Sequence, residues 1–270
     1  MKLAISNIGW ASAPLDPAVL ALLQEHGVTG IDVAPTRLWP GWEGATIASA
    51  EAWRQRIEDA GFVVPAAQSL LYQRPELTLF DDDAGRSALV AHVAFVSSLV
   101  AVLGGRVLVF GSPKIRAPED PDAAWPIAVE TFRRIGDACA AHGTVLCIEP
   151  NPPVYGCTFV NTAAEGRALV DAVDSPGFGL HLDAAGLTLA GDDAAAAVRA
   201  SAGSITHMHA SEPQLGHFGD PQVDHAAVGA ALRDVGYDRW LSIEMRPQPL
   251  DRIAEALAVV RTCYRGQTGA

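Results

Sequence analysis

Four apolar stretches of the 270-residue chain each deliver a residue able to hold a hard metal ion. "VLCIEP" carries Glu149 out of four apolar residues into a Pro-rich turn, and "LSIEM" does the same with Glu244. "GLHLD" ends on Asp183, and "THMHAS" places His209 near its end. An unpaired buried carboxylate is costly unless something neutralises it, so strand ends of this kind call for a shared counter-charge. Two Glu, one Asp and one His form an oxygen-rich set suited to one Mn²⁺, Mg²⁺ or Co²⁺, and less suited to a closed tetrahedral zinc site. His181 and His207 have the same parity as Asp183 and His209, so they also point inward, with roles in the barrel interior or behind the ligands.

These residues need elements that bring them together. Short apolar runs recur as "KLAIS", "GIDVAP", "FVVPAAQS", "RVLVFGSP", "VLCIEP", "FGLHLD", "ITHMHAS" and "WLSIEM". Most are rich in Val, Ile, Leu and Phe, as expected of parallel strands buried on both faces. Between them lie helical patterns that close on a Gly suited to a left-handed cap, among them "PAVLALLQEHG", "AEAWRQRIEDAG", "ETFRRIGDACAAHG", "AAVGAALRDVG" and the final "LDRIAEALAVVRTCYRG". Eight alternations predict a single-domain (β/α)₈ barrel over residues 1–270. Catalytic groups in that fold sit at the C-terminal strand ends. Adjacent strands are about 4.8 Å apart, so Glu149, Asp183, His209 and Glu244, on strands five to eight, can converge on one ion.

The bulk numbers narrow the function classes. A net charge of −12, from 31 acidic and 19 basic residues, leaves no basic stripe for nucleic acid. Four cysteines without a CxxC pair fit a reducing cytoplasm. The opening "MKLAISNIGWASAP" mimics a secretory signal, but Ser6, Asn7 and Trp10 interrupt its short apolar part. No apolar run approaches a membrane span.

The stretches "IEPNP", "GLHLDAAG", "HMHASE" and "VDHAAVGAALRDVGYDRWLSIEM" together resemble the xylose isomerase-like TIM barrels, and within them the sugar phosphate isomerase/epimerase group. The resemblance implies a divalent-metal-dependent isomerase or epimerase acting on a sugar, sugar phosphate or related polyol ketone. It implies that Glu149, Asp183, His209 and Glu244 bind the metal, that an enediolate is the intermediate, and that Glu149 and Glu244 pass the proton. It also suggests a homodimer or homotetramer. An inosose-type dehydratase on the same site, or a non-catalytic sugar-binding barrel, are the alternatives. Endonuclease IV shares the barrel, but it needs more ligands and basic loops.

Three positions depart from the ketose 3-epimerases of that group: Gly186 stands for a His, Leu215 for an Arg and Tyr155 for a Glu. These replacements argue against a free ketose as substrate. Candidate substitutes are Lys114, Arg116 and Arg246 for a phosphate or carboxylate, Trp10, Trp39 and Tyr72 as aromatic walls, and His217 from a loop. Gln68, Asn151 and Tyr155 complete the candidate substrate contacts.

Overall fold

The computed structural model describes residues 1–265. The predicted helix-closing Gly266 lies outside the described residues. Eight parallel strands, β1 (Lys2–Ser6), β2 (Gly30–Asp32), β3 (Ala66–Ala67), β4 (Val107–Phe110), β5 (Val145–Ile148), β6 (Phe178–Asp183), β7 (Ile205–Ser211) and β8 (Trp240–Glu244), pair in the order β2-β1-β8-β7-β6-β5-β4-β3. Single bridges from Gly30 to Val63 and from Val33 to Ala67 carry the ring round from β2 to β3. Among the described residues ten α-helices alternate with the strands: α1 (Pro17–Glu25), α2 (Pro35–Leu38), α3 (Ile47–Asp59), α4 (Asp83–Val102), α5 (Pro121–Ala141), α6 (Ala163–Val173), α7 (Ala184–Leu189), α8 (Ala194–Ala200), α9 (His225–Asp234) and α10 (Leu250–Arg265). This is the (β/α)₈ barrel the alternation predicts.

β3 is much shorter than its apolar run, because Pro65 inside "FVVPAAQS" has no N–H to give to a ladder. The helix-closing glycines behave as expected, with φ of 68° at Gly27, 83° at Gly61, 71° at Gly143 and 67° at Gly236. α6 ends differently: Asp174 takes the left-handed position, φ 47°, with no Gly available. Its start is marked by a reciprocal cap between Thr162 and Glu165.

By length and composition α4 passes for a membrane span. Its apolar stripe of Leu89, Val93, Val96 and Val100 is nonetheless buried against the barrel, and Arg86 on it pairs with Asp83. Outward-facing strand residues and helices make the main core, where Phe132 stacks on Phe178 at 4.9 Å and meets Phe110 edge-on at 5.3 Å. Inside the ring lies a smaller apolar plug of Ala66, Val107, Val109 and Cys147. Residues of the same parity further along the strands are polar: Glu149 beyond β5, His181 and Asp183 on β6, His207, His209 and Ser211 on β7, and Ser242 and Glu244 on β8. The barrel is apolar at one end and ionisable at the other.

Helix packing leaves little slack where α9 meets α10. A Cβ built on Gly229 would fall on the backbone carbonyl of Cys263. Ala at that position gains about 1 kcal/mol of helix propensity, but overpacking costs about 1–3 kcal/mol, and here a backbone must yield. Gly229→Ala is therefore expected to lower Tm by several degrees, since about 1 kcal/mol moves Tm by about 2–4 °C in chains of this size. A raised Tm in thermal denaturation would show that α10 shifts freely.

Candidate active site

Neighbouring strands set the register of the site. Asp183 lies beside His209, His209 beside Ser242, and Ser211 beside Glu244. Asp183, His209 and Glu244 offer ligand atoms that all lie within 4.8 Å of one another. Glu149, carried by the residue after β5, is outside that cluster but lines the same cavity of about 970 Å³. The structure therefore gathers three of the four expected ligands tightly and sets the fourth beside them.

Each member is held by specific contacts. Asp183 accepts from Ser211 Oγ at 2.5 Å and from the Gly186 N–H at 2.6 Å, so it also caps α7. Glu244 accepts from Gln68 Nε2 at 2.5 Å, and its other oxygen is 3.2 Å from His209 Nδ1. His209 in turn lies 3.6 Å from Asp32, which pairs with His207 at 2.7 Å. Among the described residues no hydrogen bond reaches the Glu149 carboxylate, which packs against Gly111; a Cβ there would collide with its Oε2. Glu149 is fixed through its backbone, whose carbonyl accepts from Arg116 at 2.9 Å and from Asn151 at 3.1 Å.

The electrostatics show what the cluster lacks. Burial, with Asp183 and Glu244 nearby, pushes Glu149 up to about 8. Burial and Glu244 push Asp183 up to about 6. For His209 burial works against the charge, but Glu244 and Asp32 outweigh it and hold the imidazole well above its ordinary value. Burial also opposes the charge on Asp32, yet His207 and His209 overcome it and keep the carboxyl low. Burial and the two neighbouring imidazoles hold His181 well below its ordinary value. His181 thus fills the barrel interior as a neutral ring. The carboxyls raised by burial and by their neighbours' charge are those a divalent cation would relieve, and the mixed oxygen and imidazole donors suit one.

The expected substrate contacts divide. Gln68, Asn151, Tyr155 and Arg246 line the cavity, as does Tyr72. Trp10 does not: it is a core residue, 2% exposed, whose indole donates to the Ala13 carbonyl. Trp39 is likewise buried and donates to Ser49. Lys114 is exposed and outside the lining. Arg116 is fully buried, and its Nη2 donates to the carbonyls of Gly111 and Glu149, so it meets no solvent-borne anion. His217 is exposed, outside the lining, and accepts from the Gly219 N–H.

Two contributors escaped sequence reasoning. Asp32 ends β2 inside "GIDVAP", the same strand-end signal that singled out Glu149. Glu212 follows β7 directly; it lines the cavity while accepting from Gln222 N at 2.9 Å and lying 2.7 Å from His225 Nε2.

A family model described as xylose isomerase-like TIM barrel matches residues 20–263, and the chain belongs to that family. It is similar to the L-ribulose 3-epimerase of Mesorhizobium japonicum, 31% identical over 120 residues, which are 44% of this chain and 40% of the relative. The match thus spans less than half the length of that curated relative. Among solved structures, the fold superposes on D-psicose 3-epimerase with D-tagatose from Clostridium cellulolyticum H10, with a TM-score of 0.82, 18% identity, and 98% and 99% of the two chains covered. It also superposes on 3-keto-D-glucoside 4-epimerase from E. coli, with a TM-score of 0.78, 19% identity, and 97% and 100% covered. At such identities these structures share the fold alone.

Purified protein loaded with Mn²⁺ is expected to melt higher than the EDTA-treated form, and Asp183→Asn and His209→Ala to lose both the bound metal and the shift. Metal analysis showing unchanged content in both variants would remove the cluster as the site. In metal-free protein the raised carboxyls mean that the fold keeps protons which the unfolded chain has released. Stability therefore falls as pH rises from about 4.5, the ordinary Glu value, towards about 8. Tm measured in EDTA should drop across that window in the wild type and drop less in Glu149→Gln. Equal slopes would place the pH dependence elsewhere.

Proposed function

We propose that this chain is a divalent-metal-dependent sugar epimerase that inverts a carbon next to a ketone by removing a proton from one face and returning one to the other. The observation that carries the reading is the placement of Glu149 and Glu244. They leave β5 and β8 on either side of the Asp183 and His209 strands and open into one cavity. The relatives named above, epimerases of L-ribulose, D-psicose and a 3-keto-glucoside, support the same class of reaction.

The two glutamates are held differently, and their roles follow. Glu149 has a carboxylate that receives no hydrogen bond among the described residues and a raised proton affinity, so it can gain and lose a proton without breaking a protein hydrogen bond there. Glu244, gripped by Gln68 and His209, is held in one orientation on the opposite side. Asp183, His209 and Glu244, with Glu149 beside them, would hold the ion. When bound, it supplies positive charge at the carbonyl oxygen that gains charge as the proton leaves. Each acid-base step contributes about 10² to 10⁴ in rate. We assign the chain to a reducing cytoplasm, which suits the free Cys139, Cys147, Cys157 and Cys263.

Turnover in D₂O tests the reading. Wild type is expected to place deuterium at the reacting carbon, and Glu149→Gln and Glu244→Gln to lose turnover by at least about 10² while keeping most of the metal. Full activity in either variant removes that residue from the proton path. Product that has lost water, seen by NMR, would make the chain a dehydratase.

A further inference from the structure

We infer that the outer part of the cavity is a subsite for an apolar, ring-bearing group attached to the sugar, so that the substrate is a glycoside-like keto-sugar and not a free monosaccharide. The inference rests on the proposed epimerase reading for its inner half; the outer half stands on separate observations.

Size comes first. Pockets of about 300–1,000 Å³ suffice to enclose drug-sized ligands, and this cavity, at about 970 Å³, is far more than one six-carbon sugar fills. Its acids and its apolar groups lie at different levels. The carboxylates Glu149, Asp183 and Glu244 and His209 sit at the strand ends, whereas the loops above them contribute Leu71, Tyr72, Pro113, Val154, Tyr155 and Leu215 interspersed with polar groups such as Gln73, Gln214 and Arg246. Tyr72 and Val154 are 60% and 68% exposed, large apolar groups left in water at a cavity mouth. Exposed apolar groups clustered in this way mark binding surfaces.

The charges argue against the other way of filling such a space. A phosphorylated substrate needs a cationic clamp, and the only Lys or Arg side chains among the described lining residues are Arg74 and Arg246. Arg74 is engaged by Glu76 at 2.5 Å and by His92 at 3.1 Å. A single exposed Arg246 remains.

The loops are moreover set in advance. Of the seven non-glycine residues with positive φ among the described residues, four line this cavity: Ser69 (56°), Gln73 (65°), Gln214 (58°) and Leu215 (56°). Such backbone is costly and persists where surrounding contacts enforce it, often at ligand clamps. Those contacts are present. Tyr155 Oη accepts from the Gln214 N–H at 2.8 Å, Trp42 donates to the Tyr72 carbonyl at 3.0 Å, and the Leu215 carbonyl accepts from Arg246 N at 2.9 Å. An apolar wall held in place spares a ligand the cost of ordering it.

The test is binding of non-reacting analogues, so that loss of chemistry and loss of the subsite are told apart. Matched methyl and phenyl glycosides of glucose and galactose, α and β, are titrated calorimetrically into the Mn²⁺-loaded protein. At least one phenyl member is expected to bind roughly tenfold or more tightly than its methyl twin, from burial of the ring. Tyr72→Ala and Val154→Ser, both at exposed positions, should together abolish most of that preference while leaving the methyl glycoside's affinity within about twofold. No preference in any pair, failure to bind included, overturns the subsite even where D₂O exchange upholds the epimerase. If the two substitutions instead dissociate an oligomer in analytical ultracentrifugation and leave the preference intact, the apolar mouth is an interface between copies of the chain and the inference falls.

Discussion

Everything at the open end of this barrel is arranged around a concentration of negative charge that the protein alone does not neutralise. Glu149, Asp183 and Glu244 face one cavity, and burial together with their repulsion raises the proton affinities of the first two. The fold tolerates this by directing donors at selected oxygens. Ser211 and the Gly186 N–H hold Asp183, Gln68 holds Glu244, and His209 stands between Glu244 and the buried Asp32. Asp32 takes His207 as a second partner. A line of alternating acid and imidazole thus runs from the barrel interior to the cavity, and Glu149 is the member left without a donor. That omission makes it the group most responsive to a cation or a proton.

Arg116 shows how indirect the support becomes. A fully buried guanidinium beside a carboxylate reads as an ion pair, yet its hydrogen bonds go to the backbone carbonyls of Gly111 and Glu149. It ties the end of β4 to the end of β5. Gly111 must lack a side chain for Glu149 to lie where it does. Backbone anchoring leaves the carboxylate unclaimed, whereas a direct salt bridge would have neutralised it and lowered its proton affinity.

The strands and the inward parity of Glu149, Asp183, His209 and Glu244 were legible in the sequence because both depend on local pattern: apolar runs, helical spacing and period two along a strand. What parity cannot show is which distant side chain completes a contact. Gln68 and Glu244 are 176 residues apart, and Asp32 and His207 are 175 apart. Lys114, Arg116, His217 and Trp10 misled for a related reason. A residue a few positions beyond a strand end can enter the cavity, turn under it or leave for solvent, according to loop backbone that composition does not encode. Pro113 begins a short 3₁₀ turn that takes Arg116 beneath the site. Asp32 was within reach of the same strand-end argument that found Glu149, but its strand is three residues long and followed by a Val that masks the boundary.

The departures at Gly186, Leu215 and Tyr155 are better understood as one change than as three losses. Gly186 gives only a backbone N–H, and that goes to Asp183, so no side chain enters the cavity there. Leu215 presents an apolar face, and Tyr155 turns its hydroxyl to the Gln214 backbone, leaving its ring as wall. On the resemblance to the ketose 3-epimerases, each replacement removes a polar side chain, and two of them add apolar surface. A site that recognises hydroxyls rejects substrates lacking them, because its own buried polar groups go unpaired; a site that has shed those groups no longer discriminates in that way. Selectivity must then come from shape and from apolar contact beyond the reacting ring. The left-handed backbone at Gln214 and Leu215, held by Tyr155 Oη and by the Arg246 N–H, keeps that wall in place. On the proposed reading the inner cluster holds the reacting atoms, and the inferred subsite in the loops takes what those atoms are attached to.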